Sequence, residues 1–210
     1  MSGAMVTDRI RHFLHEALEW GYTPLARWLA GRGVSANHVS IAAAALQAAS
    51  ALLVGTGYLA WGGALYVLTA SLDTLDGTLA RVTGTVSARG AFLDSTLDRL
   101  TEGAFFAAIA YYYAQAGEPW PAALAVLVFT AAVLVSYLRA RAEALGIPGS
   151  DGLATRGERV LVLSVGLIVG WPMVALYVVG LAALYTAGQR YVVVNRALAA
   201  KDATPNPTKE

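Results

Sequence analysis

The chain has 210 residues, 57% of them apolar and only 14% charged, with a mean hydropathy of +0.54. Soluble domains carry roughly a quarter charged residues, so the deficit points to lipid as a major solvent. A net charge of +1 gives no reason to expect a nucleic-acid partner, and the absence of cysteine excludes disulfides and thiol catalysis.

The opening residues do not form a signal peptide, because Asp8, Arg9, Arg11, Glu16 and Glu19 fall where an apolar stretch would have to lie. Ile10, Phe13, Leu14, Leu18 and Trp20 interleave with these charges. That pattern predicts an amphipathic helix resting on a membrane surface, within an N-terminal segment 1–32.

Gly33 to Leu72 contains no Asp, Glu, Lys or Arg and is broken near its middle by Gly55-Thr56-Gly57. Its 40 residues suffice for two membrane-spanning helices of about 20 residues each. We place them near Val39–Val54 and Leu59–Leu75. A third span covers Gly103–Gly117 if its helix starts near Arg89 with charges at the entrance. Pro119–Leu138 makes the fourth, ending in Arg139, Arg141 and Glu143. Val160 to Gln189 is free of charge but crossed by Gly170-Trp171-Pro172, which stops a helix and divides the stretch into a fifth and a sixth span.

The expected fold is thus an all-α integral membrane protein with six transmembrane helices in residues 33–198, followed by a disordered tail 199–210 whose prolines and mixed charge oppose packing. With six spans, the loops near 55–58, 115–119 and 170–173 share one side and contain no Lys or Arg. All 15 basic residues fall on the other side or on helix ends facing it. The positive-inside rule makes that side cytoplasmic, with both termini inside.

Asp73, Asp76, Asp94 and Asp98 carry the most chemical information. The first pair is spaced i, i+3 and the second i, i+4, so each pair shares a helix face with Cβ atoms about 5–6 Å apart. One pair ends the second span and the other begins the third, which brings all four carboxylates to the cytoplasmic side. Bare, they would repel strongly in a weakly polar site. Hard divalent cations such as Mg²⁺ or Mn²⁺ relieve that repulsion, since they prefer oxygen ligands. Two such ions could clamp a pyrophosphate. Gly77, Ala80 and Gly90 leave room for a ligand against the backbone. Any single aspartate is more readily explained as an interfacial charge paired with Arg81, Arg89 or Arg99; the four together are not.

The full pattern reads D-x2-D-G-x2-A-R-x8-G-x3-D-x3-D from Asp73 to Asp98. It resembles the signature of the CDP-alcohol phosphatidyltransferases, a family with a six-helix core. The resemblance implies transfer of a phosphatidyl group from CDP-diacylglycerol to an alcohol, with CMP leaving, in a membrane-embedded homodimer. By position it implies that Asp73, Asp76 and Asp94 hold two Mg²⁺ or Mn²⁺ ions, and that Asp98 ligates one of them and acts as general base. Asp73, Gly77, Ala80, Arg81 and Gly90 would bind the CDP-lipid. Asn37 joins them through Ala36-Asn37-His38-Val39-Ser40, which resembles the family's Pro-Asn-x-x-[Ser/Thr] entry with alanine in place of proline.

Arg139, Arg141, Arg156, Arg159 and Arg190 gather on the cytoplasmic side in this topology. Arginine binds phosphate through paired hydrogen bonds, so they are candidates for an acceptor that carries its own phosphate; the alternative is positive-inside decoration on lipid headgroups. Ser136–Glu143 and Thr155–Arg159 resemble the actinobacterial phosphatidylinositol-phosphate synthases, which favours myo-inositol 1-phosphate as acceptor and leaves glycerol 3-phosphate second. A membrane transporter with an acidic cation site and a prenyltransferase with aspartate-rich helices also place carboxylates among spans. Neither needs the Gly-Ala-Arg spacing found here.

Overall fold

The computed structural model describes residues 21–148 and 155–202. Every regular element among them is helical: α1 (residues 21–30), α2 (Ala36–Gly55), α3 (Leu59–Ala70), α4 (Leu72–Thr83), α5 (Ala88–Gln115), α6 (Pro119–Ala144), α7 (Arg156–Ile168) and α8 (Pro172–Asp202). Most of the predicted amphipathic helix, residues 1–20, lies outside the described part.

The turns fall where glycine interrupts the apolar runs. Gly57, Gly117 and Gly170 have φ of 93°, 75° and 79° in the links after α2, α5 and α7. The expected second span differs from prediction, because α3 stops at Ala70 and α4 restarts at Leu72. No glycine or proline causes this break. Thr69 donates its hydroxyl to the Leu65 and Tyr66 carbonyls, and Ser71 to the Leu68 carbonyl at 2.6 Å. Hydroxyls that bond back into the preceding turn bend helices. α4 ends at Gly84, whose φ of 65° suits a residue without Cβ and whose N–H returns to the last turn.

The chain divides into two compact units, one of Met1–Ser50 and Leu65–Phe105, the other of Ala51–Ala64 and Phe106–Glu210. In the first, Ala26, Val39, Leu75 and Leu79 form a buried cluster flanked by Tyr22, Leu29 and Val34. This seats α1 on the start of α2 and on α4, behind the aspartate-bearing turn. Tyr66 and Phe105 stack beside it with ring centroids 3.7 Å apart.

In the second unit, α8 packs on α6 and α7. Ala131, Val135, Ala183 and Ala187 fill the α6–α8 contact, and a Cβ on Gly166 would collide with that of Ala175 between α7 and α8. A capping box between Thr155 and Glu158 starts α7. α8 runs on through Asp202, so that residues 199–202, which the sequence assigned to the tail, are helical. Nothing before Pro205 breaks a helix, and Lys201 donates to the Leu145 carbonyl at 3.4 Å. Among the described residues three helices, α2, α6 and α8, are long and apolar enough to cross a membrane.

Candidate active site

Everything that the motif names lies in the first unit, on α2, α4 and α5. α4 is a short amphipathic helix, and its small residues Gly77 and Ala80 share a wall with Asp76 and Arg81. That wall borders an open cavity of about 480 Å³, which Asn37, Ser40, Gly90 and Asp94 also line. A Cβ added to Gly90 would sit 3.2 Å from the Ser87 hydroxyl and 3.7 Å from Asn37 Oδ1. Asn37, Gly77, Ala80, Arg81 and Gly90 therefore surround one space large enough for a small ligand group.

Asp73 is not part of that lining. With Asp94, Asp98, Ser40, Ala44, Gln47, Leu97 and Thr101 it borders a second, far smaller cleft of about 10 Å³. A space of that size accommodates about one water-sized sphere. Asp94 borders both spaces, so the two carboxylate pairs meet there.

Ser40, which closes the Asn37 motif, donates its hydroxyl to Asp76 Oδ2 at 2.6 Å. This short, charge-assisted bond fixes the one carboxylate of the four that is almost fully buried. Burial, the dominant influence, pushes the Asp76 carboxyl up to about 6; the Ser40 bond opposes it, and the Asp94 and Asp73 charges add to it. Asp76 lies just past the predicted second span. A buried acid destabilised in its charged form by two neighbouring carboxylates is a group that a cation would relieve.

Arg81 extends from α4 with Nη2 3.4 Å from the Thr78 hydroxyl. One of the ordinary pairings considered from sequence is present: Arg99 donates to Asp98 Oδ2 at 3.3 Å from a half-exposed position.

A divalent ion fits the donor set. All the donors are hard oxygens, and the smaller cleft is ion-sized and edged by three carboxylates. Among the described residues no group of three or more His, Cys, Asp or Glu side chains is drawn together as a self-sufficient cation cage.

The five candidate arginines belong to the second unit, and they are not equivalent. Arg159 and Arg190 are buried, at 3% and 4% exposure. Arg190 Nη1 donates to the Val135 carbonyl at 2.7 Å, crossing from α8 to α6. Arg156 is half-buried at the start of α7, and Arg141 is exposed. Arg139 is exposed too and pairs with Glu143 at 2.9 Å one turn along α6, a geometry of small energetic consequence.

With that geometry in hand, the comparisons decide the lineage. The CDP-alcohol phosphatidyltransferase family model matches residues 34–200. The chain belongs to that family. It is thereby a transferase. A phosphatidylinositol phosphate synthase of Corynebacterium glutamicum is 36% identical over 193 residues, covering 88% of each chain. The crystal structure of the phosphatidylinositol phosphate synthase of Mycobacterium tuberculosis with CDP-DAG bound superposes with a TM-score of 0.78 at 30% identity, covering 82% of this chain and 92% of that one. The same enzyme in complex with manganese and citrate gives 0.77 at 30% identity, covering 82% and 88%.

Proposed function

We propose that this phosphatidyltransferase moves the phosphatidyl group of CDP-diacylglycerol onto a hydroxyl of myo-inositol 1-phosphate, releasing CMP and leaving a phosphatidylinositol phosphate. The observation that carries the proposal is the cavity formed by Asn37, Gly77, Ala80, Arg81 and Gly90, with Asp76 and Asp94 at its edge. The inositol phosphate acceptor is supported by the similarity to synthases of that name.

In this reaction the small residues admit the cytidine diphosphate against the backbone of α4 and α5, and Arg81 meets its negative charge. Asp73, Asp76, Asp94 and Asp98 would hold two Mg²⁺ or Mn²⁺ ions, which supply charge compensation to the pyrophosphate when bound. Ser40 keeps Asp76 turned toward that task. Asp98 takes the proton from the acceptor hydroxyl as its oxygen attacks the phosphorus of the phosphatidyl group. The phosphoanhydride bond breaks, and CMP leaves with the electron pair. Arg139, Arg141, Arg156, Arg159 and Arg190 would receive the acceptor's own phosphate.

CMP release from purified protein supplied with CDP-diacylglycerol and each acceptor tests the assignment. Turnover with glycerol 3-phosphate alone would make it a phosphatidylglycerophosphate synthase. Arg190→Ala is expected to raise the inositol phosphate KM roughly 10- to 150-fold, the worth of a charge-assisted hydrogen bond of about 1.5–3 kcal/mol. Because Arg190 also ties α8 to α6, the melting temperature must be measured alongside. A loss of stability with unchanged KM would leave Arg190 a purely structural role.

We further propose six spans in a plasma membrane, with α3 and the first turn of α4 forming the second, both termini and the active site cytoplasmic, and a homodimeric assembly. Since the chain has no cysteine, single cysteines report topology directly. Glu118→Cys should react with an impermeant thiol reagent on intact cells and Thr85→Cys should not. Labelling of Thr85→Cys from outside would reverse the orientation.

A further inference from the structure

Gln47 sits about three turns into α2, a helix otherwise composed almost entirely of alanine, leucine and valine beyond Ser40 and apolar enough to cross a membrane. It is only 2% exposed, and it borders the small cleft together with Asp73, Asp94 and Asp98. Burying an amide away from water is costly unless it is hydrogen-bonded, and polar groups inside membrane helices mark working sites.

The register selects its partner. Ser40 and Asp94 border both spaces, whereas Ala44 and Gln47 on α2, and Asp98 and Thr101 on α5, border only the smaller one. Both helices therefore run from the larger space into the smaller in the same direction. Seven residues on each, about 10 Å of rise, bring Gln47 level with Thr101 and Ala44 level with Asp98. Helical side chains lean back toward their own N-terminus. Asp98 leans the same way, but the longer Gln47 side chain reaches further, into the room left by the small Ala44 and toward the Asp98 carboxylate.

We propose that Gln47 is a positioning residue, its side-chain N–H donating to the Asp98 carboxylate from the membrane side and fixing the oxygen that faces the acceptor. Glutamine has the right chemistry. A lysine or arginine there would cancel charge that the site needs for its cations, and an aspartate or glutamate would add to the repulsion. The amide orients a carboxylate without doing either. This inference rests on the reading of Asp98 as general base.

Gln47→Met keeps the length and removes the donor, and in an apolar helix it should leave the melting temperature in detergent unchanged or raise it. The expected result is a kcat lower by about tenfold or more, the worth of one hydrogen bond to a charged group, with the KM for CDP-diacylglycerol little changed. Mn²⁺ binding, followed by electron paramagnetic resonance without substrates, should weaken by a similar factor. A folded Gln47→Met protein with unaltered kcat and Mn²⁺ affinity overturns the proposal. Should that variant fail to fold, Gln47→Leu decides, since it too removes the donor; equality with the unaltered protein again overturns it. Failure of the underlying reading looks different: the unaltered protein itself would release no CMP with any acceptor.

Discussion

Asp98→Asn is expected to lower turnover by about 10²–10⁴-fold, the usual contribution of a positioned general base. The asparagine keeps the shape of the side chain but cannot accept the hydroxyl proton. Donor binding should largely survive, because Asp73, Asp76 and Asp94 remain, and the cavity around Gly77 and Gly90 is not touched. The neighbouring Arg99 is 41% exposed, so losing its ionic partner should cost little stability. Calorimetric titration with CDP-diacylglycerol alongside a CMP-release assay separates the two effects. Near-normal turnover in a variant that binds donor would remove Asp98 from the proton transfer.

An equally large effect is expected at Asp94, for a different reason. It is the carboxylate that borders both the donor cavity and the ion-sized cleft, so Asp94→Asn weakens whatever is held on either side. Loss of electrostatic stabilisation of several kcal/mol corresponds to a rate lower by roughly 10³-fold or more. Mn²⁺ binding should fall with it. In the unaltered protein, a chelator should stop turnover and added Mg²⁺ or Mn²⁺ should restore it. Undiminished turnover in excess chelator would dispose of the divalent-ion proposal altogether. Asp98→Asn and Asp94→Asn thus differ in kind: the first spares donor binding, the second does not.

Much of this was written in the chain. Charge-free runs interrupted by Gly55-Thr56-Gly57 and Gly170-Trp171-Pro172 locate the turns, because glycine and proline act on the backbone locally and need no tertiary partner. The spacing of Asp73, Asp76, Asp94 and Asp98 is equally local, since helix geometry converts i, i+3 and i, i+4 into shared faces. Family membership follows from the same short stretch.

Other features exist only once the helices are packed. The break between α3 and α4 depends on which hydroxyls turn back onto their own helix, and Thr69 and Ser71 have solvent-facing alternatives that sequence does not exclude. The division of the aspartates between two spaces, with Asp94 common to both, depends on how α2, α4 and α5 lie against one another. The bond from Ser40 to Asp76 joins residues 36 positions apart, a pairing that no local period encodes. Five arginines that look alike in the chain separate into buried Arg159 and Arg190, half-buried Arg156 and exposed Arg139 and Arg141, because burial is set by neighbouring helices. Gln47 shows the distinction most sharply. In the sequence it is one polar residue in an alanine-rich span; beside Asp98, with Ala44 leaving the space between them, it acquires a chemical role.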